Sequence, residues 1–199
     1  MKIFTKSQKF IYIKFYKPYG VLCTFTDPEN RLNLSNYIHV PDVYTAGRLD
    51  MDSEGLLLLT NDGEINHRIT SPKFHLTKTY LVQIEGDLDN EHINLLSRGP
   101  IIKGSYKTKA CIVEKISDPI LSERVKPITP HGPTSWILMK LNEGKKRQIR
   151  HMTAAVGLPT LRLVRVAIGP IQISKLHPGE WKYLDDDELT QLRRDLKIL

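Results

Sequence analysis

Cysteine is scarce: Cys23 and Cys111 are the only two in 199 residues, they sit in separate apolar stretches, and neither has CxxC spacing. A disulfide framework and a thiolate zinc site are therefore not expected. His67, His75, His92 and His177 are dispersed without ligand spacing, so no metal is expected from histidine either. No apolar run approaches the ~20 residues of a bilayer-spanning helix. The opening MKIFTKSQKFIYIKF breaks its short apolar pattern with lysines, where a secretory signal has a continuous apolar core. A cytoplasmic protein with no membrane partner is the expectation. Walker-type and GxGxxG loops are missing as well, which leaves no phosphate cradle for a nucleotide or dinucleotide cofactor. Repeats and low-complexity segments are lacking, which argues against solenoids and linker-like tails.

What the chain does have is a basic excess. Lys and Arg number 29 against 22 Asp and Glu, a formal +7, and that sign favours a polyanionic partner. Hydrophobic residues at 40% and charged residues at 26% suffice for a core in one domain of this length. One catalytic-size domain over residues 1–199 is expected, with two lobes, about 1–70 and 71–199, as an allowed subdivision.

Alternation over residues 10–15 predicts a strand halted by Lys17-Pro18-Tyr19-Gly20, and residues 21–25 read as its resumption. Residues 34–38 read as a helical turn. Residues 56–60 predict a buried strand, closed by the hairpin-type signal Asn61-Asp62-Gly63. Residues 64–70 are helix-compatible, and Ser71-Pro72 stops them. A strand is expected over Lys78–Glu85 and an amphipathic helix over residues 89–98, ended by Gly99-Pro100. β-Branched strands follow over 107–116 and 135–141, joined by a proline-rich loop. A helix over 146–156 precedes a last pair of strands, and Asp185-Asp186-Asp187-Glu188 reads as the N-terminus of a closing helix. Strands dominate without βαβ alternation, so the class is α+β, with a largely antiparallel mixed sheet and short flanking helices.

The segment Gly47-Arg48-Leu49-Asp50-Met51-Asp52-Ser53-Glu54-Gly55 abuts the apolar run Leu56-Leu57-Leu58-Leu59. A carboxylate loop against a buried strand holds at least one Asp near the low-dielectric core. Such an Asp can act as a nucleophile where a cation keeps it ionised, although a turn of solvated aspartates has the same sequence. Downstream lie Lys145, Lys146, Arg147 and Arg150. On a helix starting near Lys146, Lys146 and Arg150 are i,i+4 neighbours beside Arg147. That self-repelling face is either solvated or turned toward an anion, phosphate or an internal carboxylate. Lys78 and Tyr80 share one face of a strand, where Tyr80 either packs or stacks on an extruded base.

Lys17-Pro18, Gly47-Arg48-Leu49-Asp50, Lys78-Thr79-Tyr80, Glu143-Gly144, Arg147-Gln148-Ile149-Arg150-His151-Met152 and Leu163-Val164-Arg165 occur in this order between about residues 10 and 181. Together they resemble the RsuA/RluB/E/F branch of RNA pseudouridine synthases. Pro133-Thr134-Ser135-Trp136 and the run from Gly157 to Leu163 are most similar to branch members acting on 23S, large-subunit ribosomal RNA. The resemblance implies an isomerase of rRNA processing and ribosome biogenesis; a monomer is expected. Its central cleft would receive one uridine of 23S rRNA, flipped from its stack, and convert it to pseudouridine without a cofactor. It implies Asp50 as nucleophile, Tyr80 stacked on the target base, Arg150 paired with the Asp50 carboxylate, and Leu163 as an apolar wall. Arg48, Lys78, Lys145, Lys146, Arg147, Arg162 and Arg165 are implied as RNA contacts. Met51 and His151 stand where similar sequences carry basic residues. The short N-terminus leaves no room for the S4-type module of many relatives, so RNA recognition is expected from the catalytic domain.

Two other classes share parts of this pattern. An Asp-nucleophile phosphatase has the Asp50-Met51-Asp52 spacing, but there the apolar strand precedes the aspartates, and here it follows them. A non-catalytic RNA-binding or ribosome-assembly protein has the basic excess, but no use for Asp50 together with Arg150.

Overall fold

Four consecutive leucines explain the centre of the molecule, whose computed structural model describes residues 9–198; residues 1–8 and 199, the ends of the expected domain and of the opening segment, lie outside the described residues. Strand β3 (Glu54–Thr60) is buried along its whole length because alternate side chains enter different cores. Leu56 and Leu58 face Ile65 and Ile69 of α1 (Gly63–Thr70). Leu57 and Leu59 face the opposite way, against Ile13 and Phe15 of β1 (Tyr12–Lys17).

From β3 the sheet grows in both directions. On one side β3 pairs antiparallel with β1, and β1 with β11 (Trp181–Tyr183). On the other it meets β9 (Thr160–Ile168) in a parallel pairing of only two residue pairs, Glu54 with Val164 and Gly55 with Arg165. β9 then pairs antiparallel with β4 (Lys78–Glu85), β4 with β8 (Thr134–Leu141), and β8 with β7 (Ile112–Ile116). With β2 (Tyr44–Thr45) on β3 and β10 (Ile171–Gln172) on β9, the sheet has nine strands. A separate ribbon joins β5 (Ile101–Ile102) to β6 (Tyr106–Lys107). The α+β class and the mixed, mostly antiparallel sheet agree with the sequence.

Three more helices cover the sheet. α2 (Asn90–Ser97) and α3 (Gln148–Ala155) contribute Leu96, Ile149 and Met152 to the core over β4 and β8. α4 (Asp186–Asp195) brings Leu192 to the α1 side, where the following Leu196 joins it, and its Glu188 forms an ion pair with Lys14 of β1. β11 and α4, from the far part of residues 71–199, thus pack beside β1 and α1. The halves of the sheet are not consecutive stretches of chain.

The seam between β3 and β9 depends on Gly55. Its φ is +106°, and a Cβ there would stand 2.2 Å from the Arg165 carbonyl oxygen, so only glycine lets the two backbones approach this closely.

Two local expectations fail for identifiable reasons. Asn61-Asp62-Gly63 is not a hairpin: the Asp62 side chain accepts the backbone N–H groups of Glu64 and Ile65 at 3.0 and 3.2 Å and caps α1. Residues 21–25 form no strand, and Leu22 makes an isolated bridge with Asn33. None of the described helices is long and apolar enough to cross a membrane.

Candidate active site

Where β3 and β9 part beyond their short pairing, a cleft of about 690 Å³ opens. Its walls come from the loop preceding β3, from β4 and β9, and from the loop between β8 and α3. The first loop carries Asp50 and is pinned from below. Ser53 N–H donates to the Asp50 carbonyl at 3.0 Å, Gly20 N–H to the Met51 carbonyl at 2.8 Å, and Leu49 N–H to Cys23 Sγ at 3.3 Å. Beneath it the fully buried Lys17 donates to the Val21 and Pro18 carbonyls at 2.7 and 2.9 Å. Burial pulls the Lys17 ammonium down to about 8, with Cys23, Glu54, Asp52 and Asp50 opposing that fall.

β4 and β9 supply the facing wall. Tyr80 and Arg165 are register partners on the two strands, and Lys78, Tyr80, Leu163 and Arg165 all line the cleft, as alternation along each strand requires. Leu163 is 6% exposed and belongs both to this wall and to the core behind it. The third wall is held by Glu143, which accepts Tyr106 Oη at 2.8 Å and Lys109 N–H at 2.9 Å and so ties the β5–β6 ribbon to the loop after β8.

The arginines pair differently from the expectation. Arg147 is not on a helix: it has a left-handed backbone, φ +53°, and precedes α3, so Lys146, Arg147 and Arg150 do not form one helical face. Both Arg147 Nη atoms donate to the Asp52 carboxylate at 2.9 Å, a bidentate pair, and Nη1 stands 3.9 Å from Asp50 Oδ2. Arg150 does not pair with Asp50. Its Nη2 donates to the Asp52 carbonyl at 2.8 Å, its Nη1 to the Thr160 carbonyl at 3.2 Å, and its Nε lies 3.4 Å from Asp52 Oδ2. The cation nearest Asp50 is Arg147, and Arg150 stands behind it, outside the cleft lining. Burial favours a neutral Asp52, but the Arg147 hydrogen bonds and the Arg150 and Arg147 charges outweigh it, so the Asp52 carboxyl is held below its usual range.

Of the residues expected at the site, Asp50, Tyr80, Leu163, Arg48, Lys78, Lys145, Lys146, Arg147 and Arg165 meet at the cleft. Arg48, Lys145 and Lys146 are exposed at its rim. Arg162 is corrected from RNA contact to internal partner: it is buried, its Nε and Nη2 donate to Glu54 at 2.9 and 2.8 Å, and Nη2 also donates to the Ser122 carbonyl. Sequence reasoning gave no role to Asp52, Glu143 or Lys17. The signal for Asp52 was present in the Asp-x-Asp spacing, which offers two carboxylates to one set of arginines. Among the described residues no three His, Cys, Asp or Glu side chains converge as a metal site.

The site therefore offers a partly exposed carboxylate beside an aromatic ring and an apolar wall, within a cationic rim. Such a pocket can hold a planar base against Tyr80 with its sugar near Asp50 while the rim takes flanking phosphates. Comparison with known proteins agrees. Residues 11–155 match the family described as RNA pseudouridylate synthase. Ribosomal large subunit pseudouridine synthase E of Vibrio vulnificus is 47% identical over 172 residues, 85% of this chain and 73% of the relative. The protein of the same name from Xanthomonas campestris pv. campestris is 46% identical over 175 residues, 85% and 92% of the two chains. A solved pseudouridylate synthase crystal structure superposes with a TM-score of 0.79 at 29% identity, over 94% of this chain and 76% of its own. With a family match spanning most of the chain, relatives near half identity and a solved pseudouridylate synthase of the same fold, this chain belongs to the RNA pseudouridylate synthases.

Proposed function

We propose that this protein converts a uridine of 23S, large-subunit ribosomal RNA to pseudouridine, with Asp50 as the nucleophile and with neither metal nor organic cofactor. The observation that carries the reading is the meeting of Asp50, Tyr80 and Leu163 in one cleft from the loop before β3, from β4 and from β9. The large-subunit substrate rests on the names borne by the relatives near 46% identity. Pseudouridine differs from uridine only in which base atom is bonded to the sugar, so the conversion needs no redox partner and no energy input. The uracil must leave its stack, at a cost of a few kcal/mol that stacking and phosphate contacts offset.

In this reading Tyr80 presents its ring to the extruded base, Leu163 closes the apolar side, and Arg48, Lys145 and Lys146 hold neighbouring phosphates. Arg147 is the cation beside the nucleophile; Arg150 and Asp52 hold it in place. The enzyme works as a cytoplasmic monomer. Asp50→Asn preserves size and removes the charge, and is expected to abolish product while RNA binding stays within a few-fold. Mapping pseudouridines in 23S rRNA incubated with wild-type or variant protein reads this directly. Turnover by purified Asp50→Asn protein would refute the assignment, and RNA binding without any pseudouridine from the wild type would mark a binding protein instead.

A further inference from the structure

Among the described residues, two cations on the cleft wall make no ion pair. Lys78 on β4 and Arg165 on β9 both line the cleft. Arg165 is 5% exposed; its Nε donates to the Leu56 carbonyl at 2.8 Å, and its buried Nη2 has no hydrogen-bond partner. Lys78 reaches the Ile69 carbonyl only at 3.5 Å. Ion pairs around the cleft engage Arg147, Arg150 and Arg162 with Asp50, Asp52 and Glu54, and among the described residues neither Lys78 nor Arg165 has one. Holding cations out of water without counter-charge is costly. Burial, and then the Arg165 charge, pull the Lys78 ammonium down to about 8. An arriving anion would relieve both.

We propose that Lys78 and Arg165 form an anion site that receives the charge developing on the uracil as it detaches from its sugar. This rests on the reading of the cleft as the place where uridine is isomerised. When the Asp50 carboxylate bonds to C1′ and the C1′–N1 bond breaks, the electron pair of the broken bond leaves with the base, whose charge is then shared by N1, O2 and O4. When C5 of the turned base bonds to C1′, the C1′–O bond breaks and the Asp50 carboxylate is released, and the proton lost from C5 is balanced by one gained at N1. Between those events the base is an anion that must be held while it turns. Tyr80 is the register partner of Arg165, and Leu163 lies two residues away on β9, so the two cations stand at the depth of the base. RNA phosphates instead meet the exposed rim of Arg48, Lys145 and Lys146. Preorganised donors aimed at charge that appears only during reaction favour the transition state over the ground state.

The test separates rate from affinity, using transcribed 23S rRNA at saturating enzyme for single-turnover rate and filter binding for Kd. Lys78→Met keeps length and removes charge, and is expected to slow conversion roughly 100-fold while Kd stays within about two-fold. Lys78→Arg is expected to recover most of the rate. Transcripts carrying 5-fluorouridine, whose base is a more stable anion, should show a smaller Lys78→Met defect, read as consumption of the fluorinated nucleotide. Weaker RNA binding with an intact saturated rate would make Lys78 a phosphate contact and overturn the proposal, as would an undiminished defect on the fluorinated substrate. Arg165→Met removes a buried side chain, so Lys78, only half-buried, carries the test. Should the wild type modify no uridine at all, the functional reading itself fails, whereas an active wild type with an equally fast Lys78→Met variant defeats this inference alone.

Discussion

Asp52 is the residue whose part is clearest from geometry and least visible in sequence. Its carboxylate takes a bidentate pair from Arg147, and its carbonyl accepts from Arg150. Because its folded carboxyl lies below the ordinary 3.8, the stability it lends is fully present above that value and is lost as pH falls through the lowered folded value. Asp52→Asn should therefore destabilise the protein at pH 7 by about 1 kcal/mol, as befits a partly solvated pair. That difference should shrink below pH 3.8. Urea unfolding of both proteins across pH checks it, and a difference independent of pH would assign the effect to packing. The sequence placed arginines opposite a carboxylate loop, but it could not say which of two aspartates, two residues apart, they would hold. That choice depends on the left-handed turn at Arg147, and a non-glycine residue with positive φ leaves no mark in composition or spacing.

At the scale of elements, β3 and β4 were legible because a run of leucines or a β-branched alternation over a full strand overrides local signals. α2 was legible from its flanking Asp89 and Gly99-Pro100. The 61–63 turn was not, because Asn-Asp-Gly serves equally as a hairpin and as a helix cap, and the residues after it, Glu64 to Thr70, decide for the cap by continuing as a helix. The β3–β9 seam was not legible at all, since it joins strands more than a hundred residues apart. Its prediction is severe. Gly55→Ala places a methyl group 2.2 Å from the Arg165 carbonyl at a backbone angle that favours glycine, and should cost roughly 2–6 kcal/mol from strain and overpacking combined. Thermal melts measure this, and an unchanged Tm would contradict the close approach.

For the whole molecule, the +7 balance acts through the rim of the cleft. Log RNA affinity should fall by roughly 0.7–0.9 per phosphate contact in log salt, and Lys145→Ala with Lys146→Ala should lower that slope by about two contacts. A salt-insensitive Kd would exclude phosphate contacts as the source of affinity. The pairing of β1 with β11, and of Lys14 with Glu188, has a consequence in time. A ribosome delivers residues 12–17 well before residues 181–195, so a nascent chain carries that edge of its sheet bare until the later segment emerges. Under the proposed function, a protein that acts on the ribosome's own RNA would thus complete its sheet late in its passage through one.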